Sequence, residues 1–244
     1  PAHRNRAARQ LATAAGGAAT VKRAYFVTGT DTDAGKTLVS SALLLRARQQ
    51  GWQTAAVKPV ATGGLPHQGV LKNDDALQLQ RQSTLPLDYA LVNPVCLHDP
   101  IAPHIAAQEA GIALHAALLA TACRRVLALG ADFTLIEGAG GWRVPLNDRE
   151  TLADLARLLG LPVILVVNMK LGCINHALLS CEAIAADGLP LAGWVANRAA
   201  PQMSRFEQNL ASLDRLLPAP RLGMVPHLTP VSAEQAAPWL RLPD

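Results

Sequence analysis

The stretch Gly29-Thr-Asp-Thr-Asp-Ala-Gly35-Lys36-Thr37 sets a lysine and a hydroxyl directly behind a glycine, an arrangement suited to binding a phosphate chain. Gly35 lets the backbone curl so that successive N–H groups, and the positive end of a following helix, face an anion. In such a loop Lys36 reaches the β and γ phosphates and the Thr37 hydroxyl is offered to Mg2+. The strict Gly-x-x-x-x-Gly-Lys-Ser/Thr pattern would have glycine at position 30, where this sequence has Thr30.

Other residues stand at spacings that leave their chemistry open. Glu137 follows Phe133-Thr-Leu-Ile and precedes Gly138-Ala139-Gly140-Gly141, so a carboxylate is expected at a strand end beside a flexible turn. It reads either as a ligand for the metal of a P-loop nucleotide or as an acid that caps a strand. Asp75 opens a predicted helix and is either a metal ligand or an N-cap together with Asp74. With the Thr37 hydroxyl, two carboxylates would give a hard cation oxygen ligands, while water and phosphate complete the octahedron. Lys58 ends a predicted strand, as a phosphate clamp, a binder of substrate charge, or a solvated strand-end lysine. Leu171-Gly-Cys-Ile-Asn175-His176 enters a predicted helix, and its free N–H groups form either a carboxylate site or an ordinary helix start. The seven histidines show no nucleophile or metal spacing.

Strands are expected at 24–28, 54–57, 133–137, 162–167, 192–196 and 222–225, and helices near 36–50, 75–82, 112–129, 151–159, 174–187 and 203–217. Strands alternating with helices of this length imply right-handed crossovers and an α/β fold with a mostly parallel sheet covered by helices on both faces. The unbroken run Pro162-Val-Ile-Leu-Val-Val167 suits a strand buried on both faces. The Gly- and Pro-rich stretch from Ala61 to Asn73 is expected to be a long loop bordering the site, because ligands of open parallel sheets sit beyond the carboxyl ends of the strands.

Length and composition set the outer bounds. The 244 residues, half of them apolar and 16% charged, can bury a core without disulfides, and no apolar run approaches the roughly 18 residues of a membrane-spanning helix. Five basic residues, Arg4, Arg6, Arg9, Lys22 and Arg23, precede the first acid, Asp31. From there on 18 acidic residues face 17 basic ones, with no basic stripe of the kind nucleic acid requires. Residues 1–23, Arg- and Ala-rich, are expected to be a disordered extension and 24–244 one domain. The four cysteines, Cys96, Cys123, Cys173 and Cys181, lack metal or dithiol spacing and are expected to be free thiols of a reducing, cytoplasmic setting.

Several segments in one order resemble the dethiobiotin synthase family over nearly all of residues 24–237. They are Tyr25-Phe-Val-Thr-Gly-Thr-Asp-Thr32 with Gly35-Lys-Thr37, Lys58-Pro-Val-Ala61, Asp75-Ala-Leu, Leu135-Ile-Glu-Gly-Ala-Gly-Gly-Trp142, Leu171-Gly-Cys-Ile-Asn-His176 and Gly193-Trp-Val-Ala-Asn197. Thr30 also matches that family's form of the loop. The resemblance implies a homodimeric P-loop enzyme that closes a ureido ring on diaminopelargonic acid with CO2 or bicarbonate and ATP, binding neither nucleic acid nor membrane. A substrate amine forms a carbamate, the carbamate takes the γ phosphoryl group, and the second amine displaces phosphate.

Carried over from that family, Lys36 and Lys58 stabilise developing charge, while Thr37, Asp75 and Glu137 hold Mg2+. Asp33, Ala34, Gly35, Leu38, Gly138, Ala139 and Gly140 border the nucleotide. Asn197 reads adenine beside Arg198, with Pro226, His227, Leu228 and Glu234 on the nucleoside side. Arg198 departs from the acid common next to the adenine-reading Asn. Thr62 stands where the family often has Ser, and Gly172, Cys173, Ile174 and Asn175 of the partner subunit meet the substrate carboxylate. Two other P-loop classes fit less well. An amidating ligase usually carries a glutaminase domain that these residues do not contain, and a partitioning ATPase has a lysine early in its loop, whereas Asp31 to Ala34 contain none.

Overall fold

Phe26 points into one core cluster while Tyr25 and Val27 point into another, as successive side chains on a strand must. That strand is β1, Arg23–Gly29, and its alternation sets the two faces of the molecule. The structure is a computed structural model and describes residues 22–244. The extension expected for residues 1–23 therefore lies outside the described residues except at its end. There Arg23 already belongs to β1, with its guanidinium 4.7 Å from the centre of the Trp52 ring.

In chain order the further strands are β2 (Thr54–Val57), β3 (Val60–Ala61), β4 (Leu65–His67), β5 (Val70–Lys72), β6 (Val95–Cys96), β7 (Phe133–Gly141), β8 (Val163–Asn168), β9 (Leu191–Asn197) and β10 (Arg221–Val225). Six of them form the main sheet in the order β10-β9-β8-β1-β7-β2, and every pairing is parallel. Parallel neighbours need long crossovers, supplied by helices Lys36–Gln49, Asp74–Gln82, Ala116–Leu127, Leu152–Leu159, Cys173–Ala186 and Phe206–Leu216.

Helix Lys36–Gln49 packs Val39, Leu43 and Ala47 with Val27, Ile164, Val166 and Val195 on one face. The other face joins Phe26, Ile136 and Leu155 in one cluster and Leu165, Trp194 and Phe206 in another. All six residues of β8 are buried, as its unbroken apolar run requires. After β1 the chain moves to the β2 edge, and after β7 it moves across β1 to β8 and outward. The reversal opens a crevice at the carboxyl end of β1.

Several expected boundaries shift. The stretch 61–73 is not an unstructured loop. Residues Leu65–His67 and Val70–Lys72 pair as an antiparallel hairpin, turned by Gln68 at φ 51° and Gly69 at φ 83°, two left-handed residues of the kind that suit strand twist. Strand β7 does not end at Glu137; it continues through Gly138–Gly141, with Gly141 paired to Gly29, so the expected flexible turn is strand. The helix expected from residue 112 begins at Ala116, because Asn147 Nδ2 holds the Leu114 carbonyl at 2.8 Å. Short helices Tyr89–Val92, Pro103–Glu109 and Ala233–Ala236 are additional to those expected.

Candidate active site

The loop from Gly29 to Thr37 is strapped to its neighbours by hydrogen bonds. Thr30 N–H donates to the Val166 carbonyl at 3.0 Å, and the Thr30 hydroxyl accepts from Asn168 N–H at 3.1 Å. Thr30 has no positive φ, so glycine is not required there and the hydroxyl ties the loop to β8 instead. Glycine is required at position 35, where φ is 88° and a Cβ would lie 2.0 Å from Asn197 Nδ2.

Asn197 Nδ2 donates to the Ala34 carbonyl at 2.9 Å, and Asn168 Nδ2 to the Asp33 carbonyl at a longer 3.4 Å. The two asparagines are register partners at the ends of β9 and β8. Because C=O and N–H of a trans peptide point opposite ways, carbonyls held by these amides turn the N–H groups of Ala34 and Gly35 away from the asparagines. Asn168 was not singled out in the sequence; its only signal there is a polar residue closing an apolar strand.

Four charged groups converge beside this loop. Lys36, Lys58 and Glu137 are buried, at 5%, 4% and 0% exposure. Glu137 Oε1 accepts from Lys58 Nζ at 2.7 Å and from the Thr37 hydroxyl at 2.8 Å. Lys58 Nζ also pairs with Asp75 Oδ2 at 3.3 Å, while Lys36 Nζ donates to the carbonyls of Asp31 and Thr32 at 3.1 Å each. Burial would lower the pKa of Lys58, but the negative charges of Glu137 and Asp75 outweigh it and the net shift is upward. For Lys36 burial dominates and lowers the pKa to about 8, with Glu137 opposing and Lys58 reinforcing the fall.

Asn73, not Asp75, is the N-cap of helix Asp74–Gln82, its side chain accepting from Ala76 N–H. The capping reading of Asp75 is thereby removed. Glu137 Oε2 is buried without a partner among the described residues, and desolvating a carboxylate oxygen is costly unless something pairs with it. A buried orphan carboxylate oxygen, a second carboxylate and a hydroxyl fit a divalent cation shared with phosphate oxygens. No group of three or more His, Cys, Asp or Glu among the described residues could hold a metal by itself.

A cavity of about 450 Å3 gathers ten of the expected residues: Asp33, Gly35, Lys36, Thr37, Leu38, Lys58, Thr62, Asp75, Ala139 and Gly140. Pro100, not expected, also lines it. Ala34 is fully buried and takes part through its carbonyl. Gly138 lies inside β7, where a Cβ would meet the Phe26 ring at 3.3 Å. A larger cavity, about 580 Å3, lies by Glu150, Asp154 and Asp187 and includes none of these residues.

The sequence profile of the family described as "AAA domain" matches residues 23–235. The ATP-dependent dethiobiotin synthetase BioD of Pseudomonas paraeruginosa (strain DSM 24068 / PA7) is 59% identical over 219 residues, covering 90% of this chain and 96% of that protein. This chain belongs to the dethiobiotin synthetase family. The protein of that name from Cellvibrio japonicus (strain Ueda107) is also 59% identical, over 221 residues, 91% of this chain and 96% of its own length. The septum site-determining protein MinD of Pyrococcus horikoshii OT3, solved with Mg-ADP, superposes with a TM-score of 0.57 at 17% identity, covering 91% of this chain and 87% of its own. The fold is thus that of P-loop NTPases.

The other residues that the dethiobiotin synthetase likeness singles out do not line the cavity, although Asn197 holds the Ala34 carbonyl of the loop and Glu137 accepts from Thr37 and Lys58 of the lining. Asn197 pairs in register with Val225, just before Pro226, His227 and Leu228, and His227 Nδ1 lies 2.9 Å from the Ala199 carbonyl. Arg198 lies over the Phe206 ring, 5.1 Å from its centre, and donates to the Pro201 carbonyl at 2.5 Å. Glu234 lines a separate small cavity with Ser41 and Arg81. Gly172, Cys173, Ile174 and Asn175 do not border the P-loop cavity of the same chain. Gly172 has φ 94° with nothing within 4 Å of a would-be Cβ, Leu171 beside it is 93% exposed, and the Cys173 side chain is buried.

Proposed function

We propose that this ATP-dependent ligase of biotin biosynthesis closes the ureido ring of dethiobiotin on diaminopelargonic acid with CO2 and ATP. The observation that carries the reading is the pair of buried ammonium groups, Lys36 and Lys58, in one cavity with Thr37, Thr62 and Asp75, while Glu137 lies buried behind it and accepts from Lys58 and Thr37. Among the described residues, no cysteine, histidine or serine lines that cavity. A carbamate needs no protein nucleophile to accept a phosphoryl group, only anchored phosphates, neutralised charge and correct positioning.

In this reading the loop N–H groups and Lys36 bind the β and γ phosphates. Mg2+, when bound at Thr37, Asp75 and Glu137, supplies charge neutralisation to the triphosphate. The carbamate formed on one substrate amine attacks the γ phosphorus through an oxygen, and ADP leaves. The second amine then attacks the carbamoyl carbon of the mixed anhydride, and phosphate departs as the ring closes. Lys58, held protonated by its two carboxylates, offsets the negative charge passing from the carbamate to the leaving phosphate. The Thr62 hydroxyl receives the diamine and Asn197 reads the base.

The active enzyme is a homodimer in this proposal, with the exposed segment Leu171 to Asn175 completing the partner's site. Residues 24–244 act as one domain, and free cysteines favour a reducing, cytoplasmic setting. No helix among the described residues is long and apolar enough to cross a membrane. Incubation with diaminopelargonic acid, bicarbonate, Mg2+ and each nucleoside triphosphate, following phosphate and ring product, tests the reading. Phosphate release dependent on the diamine and matched by dethiobiotin is expected; no ring product with any nucleotide overturns it.

A further inference from the structure

The phenol of Tyr89, at the start of the short helix Tyr89–Val92, joins two asparagines that each hold part of the active site. Its oxygen accepts from Asn73 N–H at 2.7 Å, and its hydroxyl donates to Asn93 Oδ1 at 2.9 Å. Asn93 Nδ2 in turn donates to the Lys58 carbonyl at 2.7 Å and to the Val95 carbonyl at 3.0 Å. Asn73 Nδ2 donates to the Thr62 carbonyl at 3.0 Å, while its Oδ1 caps the helix that carries Asp75. Asn73 and Asn93 are 8% and 3% exposed, so their amides have little water to fall back on. Burial, the largest influence, pushes the phenol up to about 12, and it remains a donor across the working pH range.

We infer that Tyr89 is a positioning residue for ring closure, one hydroxyl fixing the backbone of Lys58, of Thr62 and of the Asp75 helix relative to one another through Asn93 and Asn73. Lys58 lies 35 residues from Asn93 and Thr62 lies 11 from Asn73, so no local turn sets their spacing, while the Asp75 helix joins the network through its own N-cap, Asn73. A fully satisfied buried network of this kind specifies one arrangement more sharply than separate contacts do. Tyr89 does not line the cavity, and none of its hydrogen bonds reaches the P-loop. Its influence therefore falls on the substrate and Lys58 side and not on phosphate binding by Lys36.

The inference rests on the ring-closing reading of Lys58 and Thr62. Its test is Tyr89→Phe, which removes only the hydroxyl, compared with Asn93→Ala and the double variant in the full-length enzyme well below the melting temperature of each. Tyr89→Phe is expected to lower kcat for ring closure roughly tenfold and to raise the diamine KM, with the ADP dissociation constant within about twofold of the parent. The double variant should lose less than the product of the two single effects, because both singles break the Tyr89–Asn93 bond and only the bond to Asn73 N–H is lost anew.

Parental kcat and diamine KM in Tyr89→Phe, even with a lower melting temperature, would overturn the inference, since that is what a purely structural hydroxyl predicts. Equal weakening of ADP binding and turnover would also overturn it. Full ring closure by Lys58→Ala would instead overturn the reading beneath it, which separates the two failures.

Discussion

Thr37 and Lys58 donate to the same oxygen, Oε1 of Glu137, at 2.8 and 2.7 Å. The P-loop hydroxyl and the lysine from the end of β2 are thus joined through one carboxylate whose other oxygen is buried without a partner among the described residues. Removing Lys58 alone strands a buried charge, and breaking such a pair costs on the order of 3–5 kcal/mol. Lys58→Ala is therefore expected to lower the melting temperature, and adding Glu137→Gln should restore much of it without restoring ring closure. A double-mutant cycle of denaturant midpoints with parallel activity assays checks this; additive stability losses would separate the two residues.

The two lysines should also divide the reaction between them. Lys36→Ala is expected to weaken ATP binding and turnover together, whereas Lys58→Ala should spare most ATP binding and reduce ring closure by roughly 10²–10³-fold in kcat. Calorimetric nucleotide binding beside steady-state kinetics distinguishes them.

Lys36 gives the site a pH dependence. Its pKa near 8 means that a bound triphosphate, which favours the protonated amine, must raise it, so binding takes up a proton above that pH. Affinity should be flat below about 8 and fall with rising pH above it, at most about tenfold per unit for one proton. Titration calorimetry in buffers of different ionisation heat reads the proton directly. Lys36→Met should bind weakly with no uptake; an unchanged uptake would place the titrating group elsewhere.

The orphan Glu137 Oε2 separates the two acids. Glu137→Gln and Asp75→Asn each remove a formal charge while keeping shape, and both should raise the Mg2+ concentration required for phosphate release. The Glu137 change should raise it more, because Glu137 is fully buried while the Asp75 side chain is 44% exposed. Identical metal titrations for both variants and the parent would return these acids to a structural role.

How much of this was legible in the sequence follows from distance along the chain. Gly35-Lys36-Thr37 is contiguous and local physics reads it directly, whereas Thr37 and Glu137 lie 100 residues apart and Lys58 and Glu137 lie 79 apart. Only the order of parallel strands brings such groups to one edge, so the residues could be proposed while their shared oxygen could not. The hairpin at Leu65–His67 and Val70–Lys72 was hidden because Pro66 and Gly69 read as loop punctuation, and Gly138–Gly141 read as a turn although a neighbouring glycine strand end lets them pair. Asn168 and Tyr89 carried no motif; their meaning comes from register with Asn197 and from hydrogen bonds to Asn73 and Asn93.

A diamine with an aliphatic carboxylate tail needs an anion site away from the phosphates, yet Lys36 and Lys58 are committed within the P-loop cavity. Helix Cys173–Ala186 offers free N–H groups and a positive dipole end, preceded by Gly172 with open space around it and by the exposed Leu171. That segment does not line the cavity of its own chain, so a two-fold partner must present it if it serves the substrate. Gly172→Val is expected to raise the diamine KM far more than the ATP KM, through bulk and through the left-handed φ of 94° that a β-branched residue resists. Mixing Gly172→Val chains with inactive Lys36→Ala chains should then recover activity, because a hybrid dimer places both lesions in one shared site and leaves the other intact. No recovery despite demonstrated subunit exchange, or a monomer at assay concentration, would count against the shared site.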